Sequence, residues 1–431
     1  MHIMKHGLPA SKFRTVILSL TLLIIVGGIS YRLGENHVFS KHEQGFTSKL
    51  NLLRNTDEPT KSVDFSLFWD VWARLQRYYI DAEHIDTQNM VYGAINGMVA
   101  SLDDPYTSFL PPKENKEFKE DIGGEFEGIG AQLGLKENAI IVIAPLKGTP
   151  AEKAGIRAGD YILKVDGEET TGWTTTQAVA KIRGQKGTKV TLTILHEKAQ
   201  KTEDITIIRD GIVVPSVDFW MKAPSSLTEI SGTTSSARLA NDQIAYIALS
   251  RFGDKTNDEW LTAVDTVAKA WANKSIRGLV FDLRNNPGGY LDGSVFIASE
   301  FIKSGKVVTQ TNSDGSKQEY MVDRKGKLTD IPLVILVNKG SASASEIVAG
   351  ALKDYKRGTL VGETSFGKGS VQSPQELTGG SSLHVTTGKW LLPNGDWIHK
   401  KGITPDITVA SDSLEATRDA QLGKAIEVLL K

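Results

Sequence analysis

The chain has 431 residues, room for about three domains at roughly 150 residues each, with a core large enough to fold unaided. Fifty Lys and Arg face 51 Asp and Glu, a net charge of −1, so no basic excess exists to neutralise phosphates and nucleic acid is excluded as the main partner. There is no cysteine, which removes disulfides, thiolate metal sites and every cysteine-nucleophile mechanism.

The amino end differs from the rest. Lys5, Lys12 and Arg14 precede an uncharged run from Thr15 to Tyr31; about 17 residues of helix span roughly 26 Å, a little short of the hydrocarbon core of a bilayer at about 30 Å. The basic flank contains no acid, which predicts a cytoplasmic amino end and the remainder across the membrane. A retained signal anchor over 1–34 is preferred to a secretory signal cut near Gly28–Ser30, because the cleavage motif is poor and the apolar run is long for a signal; a cut signal would give a secreted protein. The anchor holds Lys5, Lys12, Arg14 and Arg32 and no acid, so the body beyond it is mildly acidic.

Residues 35–62 are polar and aperiodic, a stalk. Phe65, Phe68, Trp69, Trp72, Leu75 and Tyr79 then recur at helical spacing, as do Val91, Ile95, Met98, Val99 and Leu102, which predicts a helix–helix core in a small helical domain. From Gly123 to about Gly211 the texture becomes short β-rich runs with glycines, broken by one helix-like stretch at 175–182. From Gln243 onward strands alternate with helices: IAYIALSRF, a helix over Asp258–Trp271, GLVFDLR (278–284), a helix over Leu291–Ile302, PLVILVN (332–338), a helix over Ser343–Tyr355, and TLVGE. This is the pattern of βαβ units and a mostly parallel sheet. An amphipathic helix over Leu414–Leu430 closes the chain.

In such sheets ligands collect beyond the carboxyl ends of strands. Two segments stand there, Arg284-Asn285-Asn286-Pro287-Gly288-Gly289 and Asn338-Lys339-Gly340-Ser341-Ala342-Ser343-Ala344-Ser345-Glu346. A Gly-Gly pair exposes backbone N–H groups for an oxyanion, whereas serines at a helix start are by themselves ordinary caps. Further on, Gly367-Lys368-Gly369 fails the phosphate-loop pattern, because glycine follows the lysine where Ser or Thr is required. Ser365-Phe366-Gly367-Lys368 satisfies S-x-x-K, but its partners K-T-G and S-D-N are absent and its glycines oppose a helix turn. There is no G-x-S-x-G for a Ser-His-Asp hydrolase, and His384, between Leu383 and Val385, reads as a strand residue lining a face. No H-E-x-x-H exists, and neither metal nor cofactor is implied.

Taken together, SLDDPYTSFL (101–110), EFEGIGAQL (125–133), DLRNNPGGYL (282–291), VNKGSASASEIVAGAL (337–352), GETSFGKGSVQ (362–372) and KGITPDI (401–407) resemble the carboxyl-terminal processing, or tail-specific, serine proteases, over nearly everything from residue 63 to 431. The resemblance implies a multidomain α/β chain: anchor 1–34, stalk 35–62, helical domain 63–122, PDZ domain 123–212, βαβ protease core 213–411 and a carboxy-terminal helix 412–431 packed on the core. It implies Ser343 as nucleophile, Lys368 as general base, Gln372 orienting the lysine, and Glu346 associated with the site. Ala344 and either Gly288 or Gly289, with Gly289 preferred, would line an oxyanion hole. Glu127-Gly128-Ile129-Gly130 resembles the PDZ loop whose amides clasp a terminal carboxylate, with the strand from Ala131 to Leu133 pairing with the bound peptide. The implied protein is an endopeptidase of the cell envelope, anchored in the inner membrane with its catalytic domain periplasmic, acting on protein tails. Two other readings are a non-catalytic PDZ scaffold and a Ser-His-Asp protease with PDZ domains. Homo-oligomers and adaptor proteins stay open as partners, since no heptad runs long enough to decide. Two departures from the family pattern, Asn394-Gly395 and Asp419-Ala420-Gln421-Leu422, lie outside the implied chemistry.

Overall fold

The structure is a computed structural model that describes residues 63–431 except 137, 197–198, 228–242 and 412–417. The expected anchor and stalk lie outside the described residues. Among the described residues, no helix is long and apolar enough to cross a membrane. The chain divides into two units, Met1–Asp86 and Thr87–Lys431.

In the first unit α1 (Ser66–Tyr78) precedes a single 3-10 turn. Asp64 starts the helix by accepting the Ser66 N–H at 2.8 Å, and Asp70 pairs with Arg74 one turn on. The rings of Phe68, Trp69 and Trp72 pack on one another, with centroids 5.0 to 6.2 Å apart. Yet α1 has no buried residue, where the period predicted a helix–helix core. Periodicity identifies a face that seeks cover and says nothing of what covers it.

The second unit opens with α2 (Thr87–Ala100), β1 (Ser108–Leu110) and α3 (Pro112–Gly123). Pro112 sits in the first turn of α3, and Gly124, at φ 68°, ends it in the left-handed cap that glycine tolerates. The β-rich module follows: β2 (Glu125–Gly128), β3 (Ala131–Lys136), β4 (Ala139–Pro145), α4 (Pro150–Lys153), β5 (Tyr161–Val165), β6 (Glu168–Glu169), α5 (Thr175–Ile182), β7 (Lys189–Leu195), β8 (Glu203–Ile208) and β9 (Asp210–Val213). Its sheet runs β3-β4-β5-β7-β8, with β3 at the edge. Val190, Leu192 and Ile194 alternate inward along β7 and join Ile140 and Ile162 in a core of the module's own.

The remainder comprises β10 (Val217–Lys222), β11 (Ile244–Leu249), α6 (Thr256–Ala272), β12 (Leu279–Asp282), α7 (Leu291–Ala298), β13 (Lys306–Asn312), β14 (Lys317–Met321), β15 (Leu333–Val337), α8 (Ala344–Asp354), β16 (Thr359–Gly362), β17 (Ser370–Glu376), β18 (Ser382–Leu391), β19 (Ile407–Thr408) and α9 (Ala420–Leu429). The central sheet is ordered β10-β11-β12-β15-β16-β19 and is parallel from β11 to β19. Strands β12 and β15 are buried at every position, as strands covered on both faces are. The helix expected over Leu291–Ile302 stops at Ala298, although Phe301 and Ile302 remain core residues. A second, antiparallel sheet, β1-β18-β13-β14 with β17 on β18, joins the segment before the β-rich module to strands late in the chain. Only its 383–385 stretch reads as a strand from sequence.

Candidate active site

The two glycine- and serine-rich segments emerge side by side from the carboxyl ends of β12 and β15. Hydrogen bonds stitch them together. Asn338 Nδ2 donates to Asn285 Oδ1 at 2.9 Å, and the Asn285 N–H donates to Asn338 Oδ1 at 2.8 Å. Fully buried Asn286 donates from Nδ2 to the Leu249 carbonyl, and its own carbonyl accepts the Ala342 N–H at 3.0 Å.

The three alternating serines then divide by environment. Ser341 and Ser345 are fully buried and donate their hydroxyls to the carbonyls of Leu283 (2.8 Å) and Asn286 (2.9 Å). Ser343 instead opens on a cavity of about 680 Å³, at the amino end of α8. Its backbone, at φ 53° and ψ −116°, lies where a side chain is strained, at a cost of about 1–3 kcal/mol.

Gly288 lies against this serine. At φ 105° it holds a conformation open to glycine, and a Cβ there would come within 2.8 Å of both the Ser343 Cβ and the Ala342 carbonyl. Its N–H is spoken for by Asn286 Oδ1 at 2.9 Å. The Gly289 and Ala344 N–H groups have no acceptor among the described residues. Both glycines, Ser343, Lys368, Gln372 and His384 line the cavity.

Lys368 comes from the loop between β16 and β17. Its Nζ donates to Gln372 Oε1 at 2.5 Å, and Gln372 Nε2 donates to the Tyr106 carbonyl. Burial pushes the lysine pKa below its ordinary value, opposed by the charge of Asp104. A β-bulge between Val371 and Gln372 breaks the register of β17 beside the lysine.

Glu346, fully buried on the first turn of α8, ties serine to lysine through the backbone. Oε2 accepts the N–H of Ser343 and the N–H of Lys368, each at 2.9 Å. Oε1 accepts the Gly367 N–H and the Ser365 hydroxyl, each at 2.6 Å. His384 lines the cavity but makes its own contacts: it bonds through Nε2 with Ser382 Oγ at 3.1 Å, and its ring meets Phe118 edge-on at 4.6 Å. Burial lowers its pKa.

In the β-rich module, the loop from Gly128 to Gly130 is pinned by the Ala151 N–H on the Ile129 carbonyl (2.8 Å) and by Thr149 Oγ1 on the Gly130 carbonyl (2.9 Å). The N–H groups of Ile129 and Gly130 have no acceptor among the described residues, and the loop leads directly into edge strand β3.

The sequence reading gave no role to Tyr106, Asn286, Ser341 or Ser345, all of which hold site residues in place. Tyr106 lies inside the quoted SLDDPYTSFL motif, but only tertiary contact shows what it touches. A second polar cluster also escaped it: Arg284, nearly buried, pairs with Asp282 (2.6 Å) and with Asp419 (2.8 Å), whose carboxylate caps α9.

The family models for peptidase family S41 match residues 243–409, for the PDZ domain residues 141–195, and for the amino-terminal domain of the activating protease CtpB residues 23–113. The chain thus carries a PDZ domain and a peptidase domain of family S41. The carboxy-terminal-processing protease of Bartonella bacilliformis is 37% identical over 86% of this chain and 82% of its own length. The carboxy-terminal processing protease CtpA of Bacillus subtilis is 41% identical over 75% of this chain, which spans 64% of that protein. The chain belongs to the carboxy-terminal processing protease family. The crystal structure of a Bacteroides fragilis protein assigned to the S41 proteases shares the fold, with a TM-score of 0.54 at 16% identity over 87% of this chain and 99% of that one.

Proposed function

We propose that the protein is a serine endopeptidase that binds protein tails through its PDZ domain and cleaves bonds near them with Ser343 and Lys368. The observation that carries this reading is the division among the alternating serines: two are consumed by backbone carbonyls, and the strained third opens on a cavity shared with a lysine of depressed pKa. Neutral Lys368 takes the Ser343 proton as Oγ attacks the scissile carbonyl. The oxyanion falls to the N–H groups of Gly289 and Ala344, aided by the positive end of α8. The lysine returns the proton to the leaving amine, and a water, deprotonated by the same lysine, hydrolyses the acyl-enzyme. Gln372 orients the lysine throughout. The free amides of Ile129 and Gly130, with Gly128, receive the tail carboxylate, and β3 pairs with the peptide by strand addition. The basic flank and apolar run of residues 1–34 support an inner-membrane anchor with the catalytic domain on the extracytoplasmic side.

Cleavage of an unfolded reporter protein tests the reading. Ser343→Ala and Lys368→Ala should each abolish it, while His384→Ala has a modest effect. Unchanged proteolysis in both of the first two variants overturns the dyad. A reporter with an amidated tail should turn over more slowly than one with a free carboxylate; equal turnover removes the PDZ role.

A further inference from the structure

The motif Asp103-Asp104-Pro105-Tyr106-Thr107 has no part in the chemistry above, yet the fold delivers it to the lysine. Asp104 locks the turn by accepting the N–H groups of Tyr106 and Thr107, each at 3.2 Å, and the Thr107 hydroxyl at 2.6 Å. Strand β1 then pairs with β18, setting Ser108 opposite His384, and Thr107 Oγ1 accepts the Thr386 N–H at 3.1 Å. Thr386 is the partner of Gln372 in the β17–β18 ladder. The turn is therefore registered against the residue that holds the lysine.

Two contacts follow. The Tyr106 carbonyl accepts from Gln372 Nε2, and the Tyr106 ring centroid lies 5.3 Å from Lys368 Nζ. Behind it the ring meets His399 edge-on at 5.7 Å, and His399 stacks on Trp397 with centroids 4.9 Å apart and planes 7° apart.

A carboxamide has two ends of opposite character. With Oε1 toward the amine, Gln372 accepts one lysine N–H and leaves the nitrogen lone pair free for the serine proton. Flipped, its NH₂ would donate into that lone pair and quench the base. A carbonyl can only accept, so a carbonyl placed at the far end selects the productive orientation.

We infer that Tyr106 is a positioning residue for the general base: its carbonyl fixes the Gln372 amide with Oε1 on Lys368, and its braced ring shuts water away from the amine. The inference rests on the assignment of Lys368 as the base. Beside the lysine stand Asp104 and Tyr106 on the turn, Glu346 on α8 and His384 on β18, with His399 behind the tyrosine, and Asp121, Arg251 and Tyr290 line the same cavity.

The test is the pH dependence of Ser343 acylation by a small fluorophosphonate, which reads the dyad without tail binding. Tyr106→Ala admits water to the amine and should move the acid limb up by about one pH unit. Tyr106→Phe keeps carbonyl and ring and should leave the limb in place. Asp104→Asn keeps one oxygen for the Thr107 N–H and hydroxyl, gives up the Tyr106 N–H bond, and removes the charge that favours the ammonium, so it should move the limb down. Opposite shifts from two neighbours in one turn are not produced by general loosening. Should Tyr106→Ala fail to fold, Asp104→Asn and Tyr106→Phe still decide. An unmoved limb in Asp104→Asn, or a Tyr106→Phe limb displaced as far as that of Tyr106→Ala, overturns the inference. Labelling that survives Ser343→Ala would instead overturn the serine assignment itself.

Discussion

Replacing Glu346 by glutamine changes one oxygen and should disable the site. The carboxylate accepts four hydrogen bonds and donates none: Ser343 and Lys368 N–H on Oε2, Gly367 N–H and Ser365 hydroxyl on Oε1. A carboxamide must turn its NH₂ toward one of these pairs. Facing Ser343 and Lys368, it strands two half-buried N–H groups; facing Gly367 and Ser365, it strands one buried N–H and forces the serine hydroxyl to reverse, although Ser365 Oγ already accepts from the Ile403 N–H at 2.7 Å. The second orientation is the cheaper. One stranded donor costs about 1–3 kcal/mol, and the bonds that survive lose the strengthening an ionised acceptor gives, offset in part because a neutral group is easier to bury. A net loss of about 2–4 kcal/mol follows, together with displacement of the Lys368 loop, and a displacement of about 1 Å at a reacting group costs on the order of 100-fold in rate. Thermal unfolding and the rate of Ser343 labelling by a fluorophosphonate measure both. A Glu346→Gln protein that melts with the wild type and labels within a factor of about three would refute the argument that the charge sets the geometry.

Gly288→Ala places a Cβ at φ 105°, within 2.8 Å of the Ser343 Cβ, and should reduce turnover about 100-fold; wild-type turnover would show that the loop and the serine can separate freely. The lysine carries a stability signature of opposite sign to its catalytic one. A folded-state pKa below the ordinary 10.5 means that the unfolded chain binds the proton more tightly, so the fold loses stability as pH falls from 10.5 to the folded value, and the loss is constant below it. Lys368→Met should therefore melt above the wild type near neutral pH, with a difference that shrinks as pH is raised toward 10.5, while its proteolysis is lost. A flat difference across that range would mean that the amine is not desolvated. Arg284→Met leaves the nearly buried Asp282 without its cation and should cost about 3–5 kcal/mol in a denaturant titration; an unchanged midpoint would show that the clasp on α9 is dispensable.

Much of the fold is written in local pattern. Continuous apolar runs such as Leu279–Phe281 and Leu333–Val337 read as short strands covered on both faces, and the helices between them imply a parallel sheet. What the pattern lacks is the identity of partners. Three serines at alternate positions are equivalent in sequence; they become inequivalent only when the carbonyls of Leu283 and Asn286 arrive to occupy two of them. Gly288 and Gly289 are likewise a symmetric pair until the Asn286 side chain takes one N–H and leaves the other. The second sheet is harder still, because β1 meets β18 across a separation that no window of sequence spans. For α1 the apolar stripe correctly marked a helix, but burial is a property of the neighbour as well as of the stripe.

The same distinction explains how a lysine can serve here as a base at all. Glu346 and Asp104 stand near the lysine, and either of them, paired with Lys368, would hold the amine as an ammonium and end its use as a proton acceptor. Neither does. Glu346, on α8, bonds to the lysine's own loop, but its oxygens are filled by backbone N–H groups and a hydroxyl, so its charge is spent on placing the serine and lysine main chains. Asp104 is turned inward on the Tyr106 and Thr107 donors and reaches the lysine only through space. Lys368 is left with a neutral carboxamide at 2.5 Å and an aromatic face, and among the described residues it enters no ion pair. Keeping acids near a lysine yet unavailable to it takes donors from three separated stretches of chain, at 106–107, 343 and 365–368, while Gln372 supplies the neutral acceptor. A short contiguous motif cannot encode the arrangement, and the resemblance to a family rested on six motifs in order rather than on one.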